Sequence, residues 1–288
     1  MQNFYKIIPL KDDVYRITSL ENVFMELLVG TDKALLIDTG YGFGHLKETV
    51  RSITDKPLYI VNTHGHVDHT CGNFQFEETA YISEDDVDLM HRHNTPEFRA
   101  ESVRLAQHVQ DWETGKEVYG LPEDFDQDWY VSGGCGNYAL LKEGMVFDLG
   151  GKTIRTIKTP GHTKGGMSFL YEEENWLYVG DEANVFLWLF DNDATDRKTH
   201  LKTLDKIMDI APARLYGGHG PDHYTLEDVK MFKRAAIEAD YDKGIPFATP
   251  IMPDSKDIRV CILDGKTMAD IGKPGFYAIL IDSSRREL

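Results

Sequence analysis

The chain is poor in cysteine, with only Cys71, Cys135 and Cys261 among 288 residues. Their number is odd and their spacing is wide. This pattern is not that of a disulfide framework or of a zinc site built from cysteines. Free thiols are typical of a reducing compartment. We therefore expect a cytoplasmic protein.

Long apolar stretches are also absent from the sequence. The longest aliphatic and aromatic run, Val185 to Phe190, is far shorter than the about 20 residues of a membrane-spanning helix. Residues 1–20 carry scattered charges and no apolar core, so no signal peptide is expected there. The sequence therefore predicts no membrane association.

Basic residues are few compared with acidic ones. The 31 Lys and Arg residues face 48 Asp and Glu residues, which gives a formal net charge of −17. Proteins that grip nucleic acid usually present a basic face that neutralises phosphates. We therefore expect a small-molecule substrate and no nucleic-acid partner.

Strand and helix patterns alternate along the chain without a low-complexity linker, which favours an α/β fold. We predict one domain over residues 1–288, with a helical and irregular excursion at about 84–144 and a C-terminal strand pair at about 257–282. Within the excursion, Thr95 as N-cap and Pro96 at the first helical position predict a helix start.

One short segment concentrates three histidines and an aspartate directly after an apolar strand. His64 and His66 point the same way at a strand end, because side chains alternate with period two. A turn into a helix near Asp68 would direct Asp68 and His69 toward a second position, and Gly65 would allow the tight turn. Imidazole and carboxylate are donors that divalent first-row metals prefer, so the segment predicts ligands for two ions.

Three further segments repeat an apolar strand that ends in a small-residue turn with one candidate ligand. These ligands are His162, Asp181 and His219. A single histidine after a strand is more often a hydrogen-bonded structural residue. In this order, and together with the first segment, the three indicate a metal centre.

The segments at 63–73, 159–166, 178–182 and 217–221 resemble the successive signature motifs of the metallo-β-lactamase superfamily. The turn that begins at Asp38 is similar to its early aspartate turn. The resemblance implies an α/β fold, a four-layer αββα sandwich of the metallo-β-lactamase type. It also implies a site where the loops at the strand ends converge.

The resemblance further implies a ligand set. The first ion would take His64, His66 and His162, the second would take Asp68, His69 and His219, and Asp181 would bridge the two. The bridging aspartate, and the lack of cysteine at any ligand position, are similar to glyoxalase II, acyl-homoserine lactonases and tRNA 3′-processing ribonucleases. True β-lactamases generally lack that aspartate, so β-lactam cleavage is not the expected activity.

Such a centre predicts a dinuclear hydrolase that uses a metal-bridging hydroxide on an ester, lactone or thioester. Asp68 would be the catalytic residue that orients this nucleophile. Asp38 would accept a ring N–H from a ligand histidine, cap a helix, or do both. Two divalent ions are expected, with zinc as the first choice and iron or manganese as alternatives.

Other interpretations remain open at the level of sequence. His64, His162 and Asp181 would suit a single iron in a dioxygenase of the persulfide-dioxygenase type. A phosphodiesterase or ribonuclease, or a binding protein without turnover, would keep the same ligands.

The role of one aromatic run stays open at the level of sequence. The aromatic residues Phe186, Trp188 and Phe190 would form a pocket wall, core packing or a homodimer contact. A homodimer is therefore kept open. His93 is expected on a solvated helix face.

Overall fold

The computed structural model describes residues 4–19, 22–110, 116–190, 192–248 and 257–287. Two compact units divide the chain. The first comprises Met1–Ile157 with Phe169–Glu173, and the second comprises Lys158–Ser168 with Glu174–Leu288. Residues 111–115 of the predicted excursion lie outside the described residues. The single domain proposed above stays a prediction.

Strands and helices alternate along the described chain, as the sequence predicts. The strands are β1 Lys6–Lys11, β2 Val14–Thr18, β3 Phe24–Val29, β4 Ala34–Ile37, β5 Leu58–Val61, β6 Ala80–Ser83, β7 Val109–Gln110, β8 Glu117–Val118, β9 Tyr138–Leu141, β10 Val146–Asp148, β11 Thr153–Lys158, β12 Met167–Tyr171, β13 Trp176–Gly180, β14 Phe186–Leu189, β15 Arg214–Gly217, β16 Ile245–Pro246, β17 Arg259–Ile262 and β18 Ala278–Ile281. The helices are α1 Leu46–Ile53, α2 Val67–Thr70, α3 Val87–His93, α4 Pro96–Ala106, α5 Gln127–Ser132, α6 Arg197–Ile210 and α7 Leu226–Glu238.

The first unit contains a seven-stranded sheet in the order β1-β2-β3-β4-β5-β6-β9. The first four strands pair antiparallel, and β4, β5, β6 and β9 pair parallel. Strand β3 is buried along its whole length and is apolar except for Glu26, whose buried carboxylate pairs with Arg16 on β2. Helix α1 packs on this sheet through Leu46 and Val50.

The parallel part of this sheet decides where its polar loops begin. Ile37 at the end of β4 pairs with Val61 at the end of β5. Carboxyl ends of neighbouring parallel strands lie at the same edge of a sheet. The residues that follow them, Asp38 and the segment from Asn62 to His64, therefore lie side by side.

The second unit repeats this arrangement with one parallel strand pair. Gly180 at the end of β13 pairs with Gly217 at the end of β15. The Gly218 N–H donates to the Gly180 carbonyl at 2.8 Å. Asp181 follows the end of β13 directly and His219 lies two residues after the end of β15, so their side chains start from the same edge.

A four-stranded sheet, ordered β14-β18-β17-β16, completes the second unit. One of its faces packs against α6 and α7 through an apolar cluster that includes Leu189, Leu201 and Ala236. The other face carries a second apolar cluster that includes Phe190, Phe276 and Leu280. Each face of the sheet is thus apolar, which accounts for the dense aliphatic and aromatic sequence of β14 and β18.

The ends of the helices follow side-chain capping. Thr95 accepts from the Phe98 N–H and Pro96 opens α4, which confirms the predicted helix start. Asp196 caps α6, and Thr225 with Asp228 forms a capping box at α7. None of the described helices is both long and apolar enough to cross a membrane.

One buried histidine in α6 is packed against the loop that carries His162. His200 is fully buried, and neither of its ring nitrogens has a hydrogen-bond partner among the described residues. A β-carbon on Gly161 would lie only 2.5 Å from Nδ1 of His200, so the ring packs directly on this glycine. Burial, with a smaller contribution from His162, lowers the pKa of His200 from 6.5 to about 3.

This histidine makes stability depend on pH. Between pH 6.5 and about 3, His200 is protonated in the unfolded chain but neutral in the folded chain. The free energy of unfolding therefore falls as the pH falls, by up to about 1.4 kcal/mol per pH unit from this group. Urea unfolding of the metal-free protein should show wild type losing roughly 2 kcal/mol more than His200→Leu between pH 7 and pH 5. Parallel losses in both proteins would contradict this assignment.

Candidate metal centre

The first group of candidate ligands follows β5 and includes α2. As predicted, the chain turns into a helix next to Asp68, with α2 beginning at Val67. His64 and His69 are fully buried, and their ring centroids lie 4.1 Å apart. The His66 ring centroid is 4.8 Å from that of His64. Nε2 of His69 lies 3.6 Å from Oδ2 of Asp68, so the four side chains form one compact cluster.

Asp38 fixes the orientation of two of these rings. Its Oδ2 accepts from Nδ1 of His69 at 2.8 Å and from Oγ1 of Thr63 at 2.7 Å. Because the Thr63 hydroxyl proton goes to Asp38, its oxygen accepts from Nδ1 of His64 at 3.0 Å. Both imidazoles thus carry their proton on Nδ1 and present the lone pair of Nε2. A hydrogen bond from Nδ1 to an oxygen acceptor is the usual support of a metal-bound histidine. Asp38 therefore has the predicted role of acceptor for a ring N–H.

A second set of polar contacts holds the backbone of α2. Nδ2 of Asn62 donates to the His69 carbonyl at 2.9 Å, and the Thr39 N–H donates to the same oxygen at 3.0 Å. Nδ2 of Asn73 in turn donates to Oδ1 of Asn62 at 2.9 Å. These buried groups satisfy one another and fix the end of the helix that carries Asp68 and His69.

The reason for Gly65 differs from the predicted one. It is not among the glycines with positive φ. A β-carbon there would lie 2.7 Å from the Asp86 carbonyl oxygen and 3.0 Å from the Met90 nitrogen. The Gly65 N–H also donates to Oδ2 of Asp86 at 2.9 Å. Glycine is needed because α3 approaches closely, which requires tertiary information.

His93 belongs to this cluster, although the sequence placed it on a solvated face. Its ring stacks with those of His66 and Phe98, at centroid distances of 5.2 and 4.2 Å. Its Nδ1 accepts from the Val67 N–H at 3.2 Å. His93 therefore supports both a candidate ligand and the first residue of α2. The sequence gives no signal for it, since the contact depends on how α3 packs.

The second group of candidate ligands lies in the second unit. Oδ2 of Asp181 is 3.4 Å from Nε2 of His219 and 4.0 Å from Nε2 of His162. One carboxylate oxygen thus lies near two imidazole nitrogens that belong to different loops. Asp181 is the member of this group that both histidines share.

The His162 ring is oriented by a strand next to it. Its Nδ1 donates to the Trp188 carbonyl oxygen at 2.7 Å, so Nε2 carries the lone pair. Phe190 is buried in an apolar cluster with Phe276, and the partly buried Phe186 and Trp188 pack against that cluster. Core packing therefore accounts for these aromatic residues, and Trp188 contacts the candidate ligand His162 through its backbone carbonyl.

The donor atoms fit divalent metal ions. Both groups combine imidazole nitrogens with carboxylate oxygens, the donors that zinc, manganese and iron accept when thiolates are absent. The rings of His64, His69 and His162 are each held at Nδ1 by an oxygen acceptor, which directs Nε2 away from that contact. These histidines therefore have the hydrogen-bonded ring orientation that metal-binding histidines have in other proteins.

Comparison with known families decides the relationship. The model of the metallo-β-lactamase superfamily matches residues 21–219, which is more than half of the chain. The chain belongs to the metallo-β-lactamase superfamily. The match confirms the suspected family and the predicted α/β fold of the metallo-β-lactamase type. It also confirms a hydrolase, and the family implies divalent metal ions.

Similar proteins agree with this relationship. Acyl-coenzyme A thioesterase MBLAC2 from Gallus gallus is 25% identical over 226 residues, which cover 73% of this chain and 75% of that protein. A beta-lactamase-like protein 2 homolog from Caenorhabditis elegans is 26% identical over 67% of this chain and 55% of its own length. The chain thus spans three quarters of the first relative but about half of the second.

A solved structure shows the same fold. The metallo-beta-lactamase from Pontibacter korlensis aligns with a TM-score of 0.55 at 16% identity, over 81% of this chain and 99% of that chain. Identity at this level supports the fold alone. The activity must be argued from the residues of this chain.

The Asp38 contacts lead to a prediction for metal affinity. Asp38 has a φ of +60°, a conformation that asparagine also tolerates. Asp38→Asn should therefore keep the backbone but replace one acceptor oxygen with an amide donor. We expect metal affinity to fall about 10- to 100-fold. Competition with a chromogenic chelator measures it, and unchanged affinity would show that Asp38 does not support the ligands.

Proposed function

We propose that the chain is a dinuclear hydrolase of ester-like acyl substrates. Asp181 would bridge the ions. His64, His66 and His162 would hold one, and Asp68, His69 and His219 the other. The observation that carries this proposal is the Asp181 carboxylate, whose Oδ2 lies within 4.0 Å of Nε2 of both His162 and His219. A carboxylate shared by two histidines on separate loops is what a bridging ligand requires.

The ions would supply a nucleophilic hydroxide near neutral pH and a Lewis acid for the carbonyl oxygen. The chain's own residues would supply the orientation. Asp68 has a side chain that is 19% exposed, and its Oδ2 lies 3.6 Å from Nε2 of His69. It is therefore fixed by its cluster but accessible, and it can accept a proton from an attacking water and orient it.

Charge supports a small acyl substrate over a polyanion. The net charge of −17 opposes tight binding of nucleic acid, which needs several phosphate contacts. The name of the Gallus gallus relative supports an acyl-coenzyme A thioester as the first candidate substrate. Esters and lactones follow, since hydrolysis of all three needs the same nucleophile and the same acceptor for the developing oxyanion.

Three further expectations belong to this proposal. Zinc is the first choice of metal, with iron and manganese as alternatives. The paucity of cysteine favours a cytoplasmic location. A homodimer and a monomer are both compatible with the described residues.

The proposal is tested with a panel of acyl-coenzyme A thioesters, activated esters, lactones and structured RNA. We expect turnover of at least one acyl class, loss of that turnover with a chelator, and recovery when zinc or manganese is added. Asp181→Asn should abolish turnover because it would weaken the binding of both ions. His108→Ala is a suitable control, since this exposed histidine contacts Glu117 and no candidate ligand.

Two results would overturn the proposal. Salt-sensitive RNA cleavage with inert acyl substrates would indicate a nuclease. Oxygen-dependent turnover that requires iron and is not supported by zinc or manganese would indicate a dioxygenase.

A further inference from the structure

A second carboxylate follows the candidate bridging ligand directly. Glu182 comes after Asp181 at the end of β13, and its side chain is fully buried. Sequence reasoning did not single it out. Burial of a carboxylate destabilises the fold unless several hydrogen-bond donors surround it. The donors around Glu182 therefore indicate its role.

The donors come from the loop that carries His162. Oε2 of Glu182 accepts from the His162 backbone N–H at 2.7 Å. Oε1 accepts from the Thr163 backbone N–H at 3.2 Å and from its hydroxyl at 3.4 Å. Each carboxylate oxygen thus holds one of two successive residues, and the first of these is a candidate metal ligand.

The loop is shaped around this carboxylate. A β-carbon on Gly166 would lie 2.1 Å from Oε1 of Glu182, and one on Gly161 would lie 2.8 Å from Oε2. Neither glycine has a positive φ. The carboxylate occupies the space where a side chain at Gly166 would begin, and at Gly161 it shares that space with the His200 ring, whose Nδ1 would lie 2.5 Å from the β-carbon.

Other contacts hold the same loop from a different direction. Oγ1 of Thr203, in α6, donates to the Pro160 carbonyl at 2.6 Å. The Thr195 N–H donates to the Gly161 carbonyl at 2.9 Å. These bonds attach the loop to α6 and to the segment just before it. Glu182 differs from these contacts because it is the residue next to Asp181, so it links the loop to the other candidate ligand.

We infer that Glu182 is a positioning residue that sets the separation between His162 and Asp181. This inference rests on the proposed function, because it takes both residues as metal ligands. The carboxylate ties the backbone of one ligand to the residue beside the other, while the Trp188 carbonyl fixes the ring of His162. Together these contacts hold Nε2 of His162 at 4.0 Å from Oδ2 of Asp181.

Glu182→Gln tests the inference with almost no change in volume. A glutamine amide has one acceptor oxygen, and its NH₂ group would face a backbone donor. One of the two backbone hydrogen bonds is therefore lost. Thr203→Val is the matched control, because it removes one side-chain hydrogen bond to the same loop without touching His162 or Thr163.

Three quantities are measured on both variants and on wild type. They are the zinc dissociation constant, the absorption spectrum of the cobalt-substituted protein and the Tm of the metal-free protein. We expect Glu182→Gln to weaken zinc binding about tenfold or more and to change the cobalt spectrum. Thr203→Val should lower Tm by a similar amount but keep the affinity and the spectrum of wild type.

Wild-type affinity and spectrum in Glu182→Gln would overturn the inference. So would an equal loss of affinity in both variants, since this would mean that the loop only needs general stability. If Glu182→Gln does not fold, Glu182→Asp replaces it. That variant keeps the charge but withdraws the oxygens by one methylene, and the same loss of affinity is expected.

These readouts separate the inference from the proposed function. Zinc binding that depends on Glu182, in a chain inactive on every acyl substrate, would support the inference and contradict the proposed activity. Wild-type protein that binds no divalent metal would contradict both.

Discussion

The structure depends on buried carboxylates that accept hydrogen bonds from the loops at strand ends. In the first unit Asp38, after β4, holds Thr63 and the ring of His69. In the second unit Glu182, after β13, holds the backbone of His162 and Thr163. Each carboxylate is buried and is satisfied by several donors, so each loop has one well-defined conformation. Ligand histidines need that precision, because a metal ion tolerates little error in their placement.

Much of this arrangement could be predicted from the sequence. Period-two side chains at the end of β5, and the turn into α2, follow from strand geometry and local sequence. The N-cap at Thr95 with Pro96 is likewise a local signal. The candidate ligands were recognised because several strand-end motifs occur in one order.

What could not be predicted depends on contacts between distant parts of the chain. His93 contacts His66 only because α3 packs beside α2. Gly65 was assigned to a tight turn but is required by the close approach of α3. Glu182 lies next to the candidate ligand Asp181, yet its partners are 19 and 20 residues away in sequence. The aromatic run at β14 has the composition of a pocket wall, but it packs in an apolar core.

The proposal that most needs a test is that this hydrolase binds two divalent ions through His64, His66, Asp68, His69, His162, Asp181 and His219. Anomalous diffraction from crystals grown with zinc tests it most directly. The account predicts two zinc peaks roughly 3.5–4 Å apart, with Asp181 contacting both. A single peak coordinated by His64, His162 and Asp181 alone, or peaks at other residues, would contradict it.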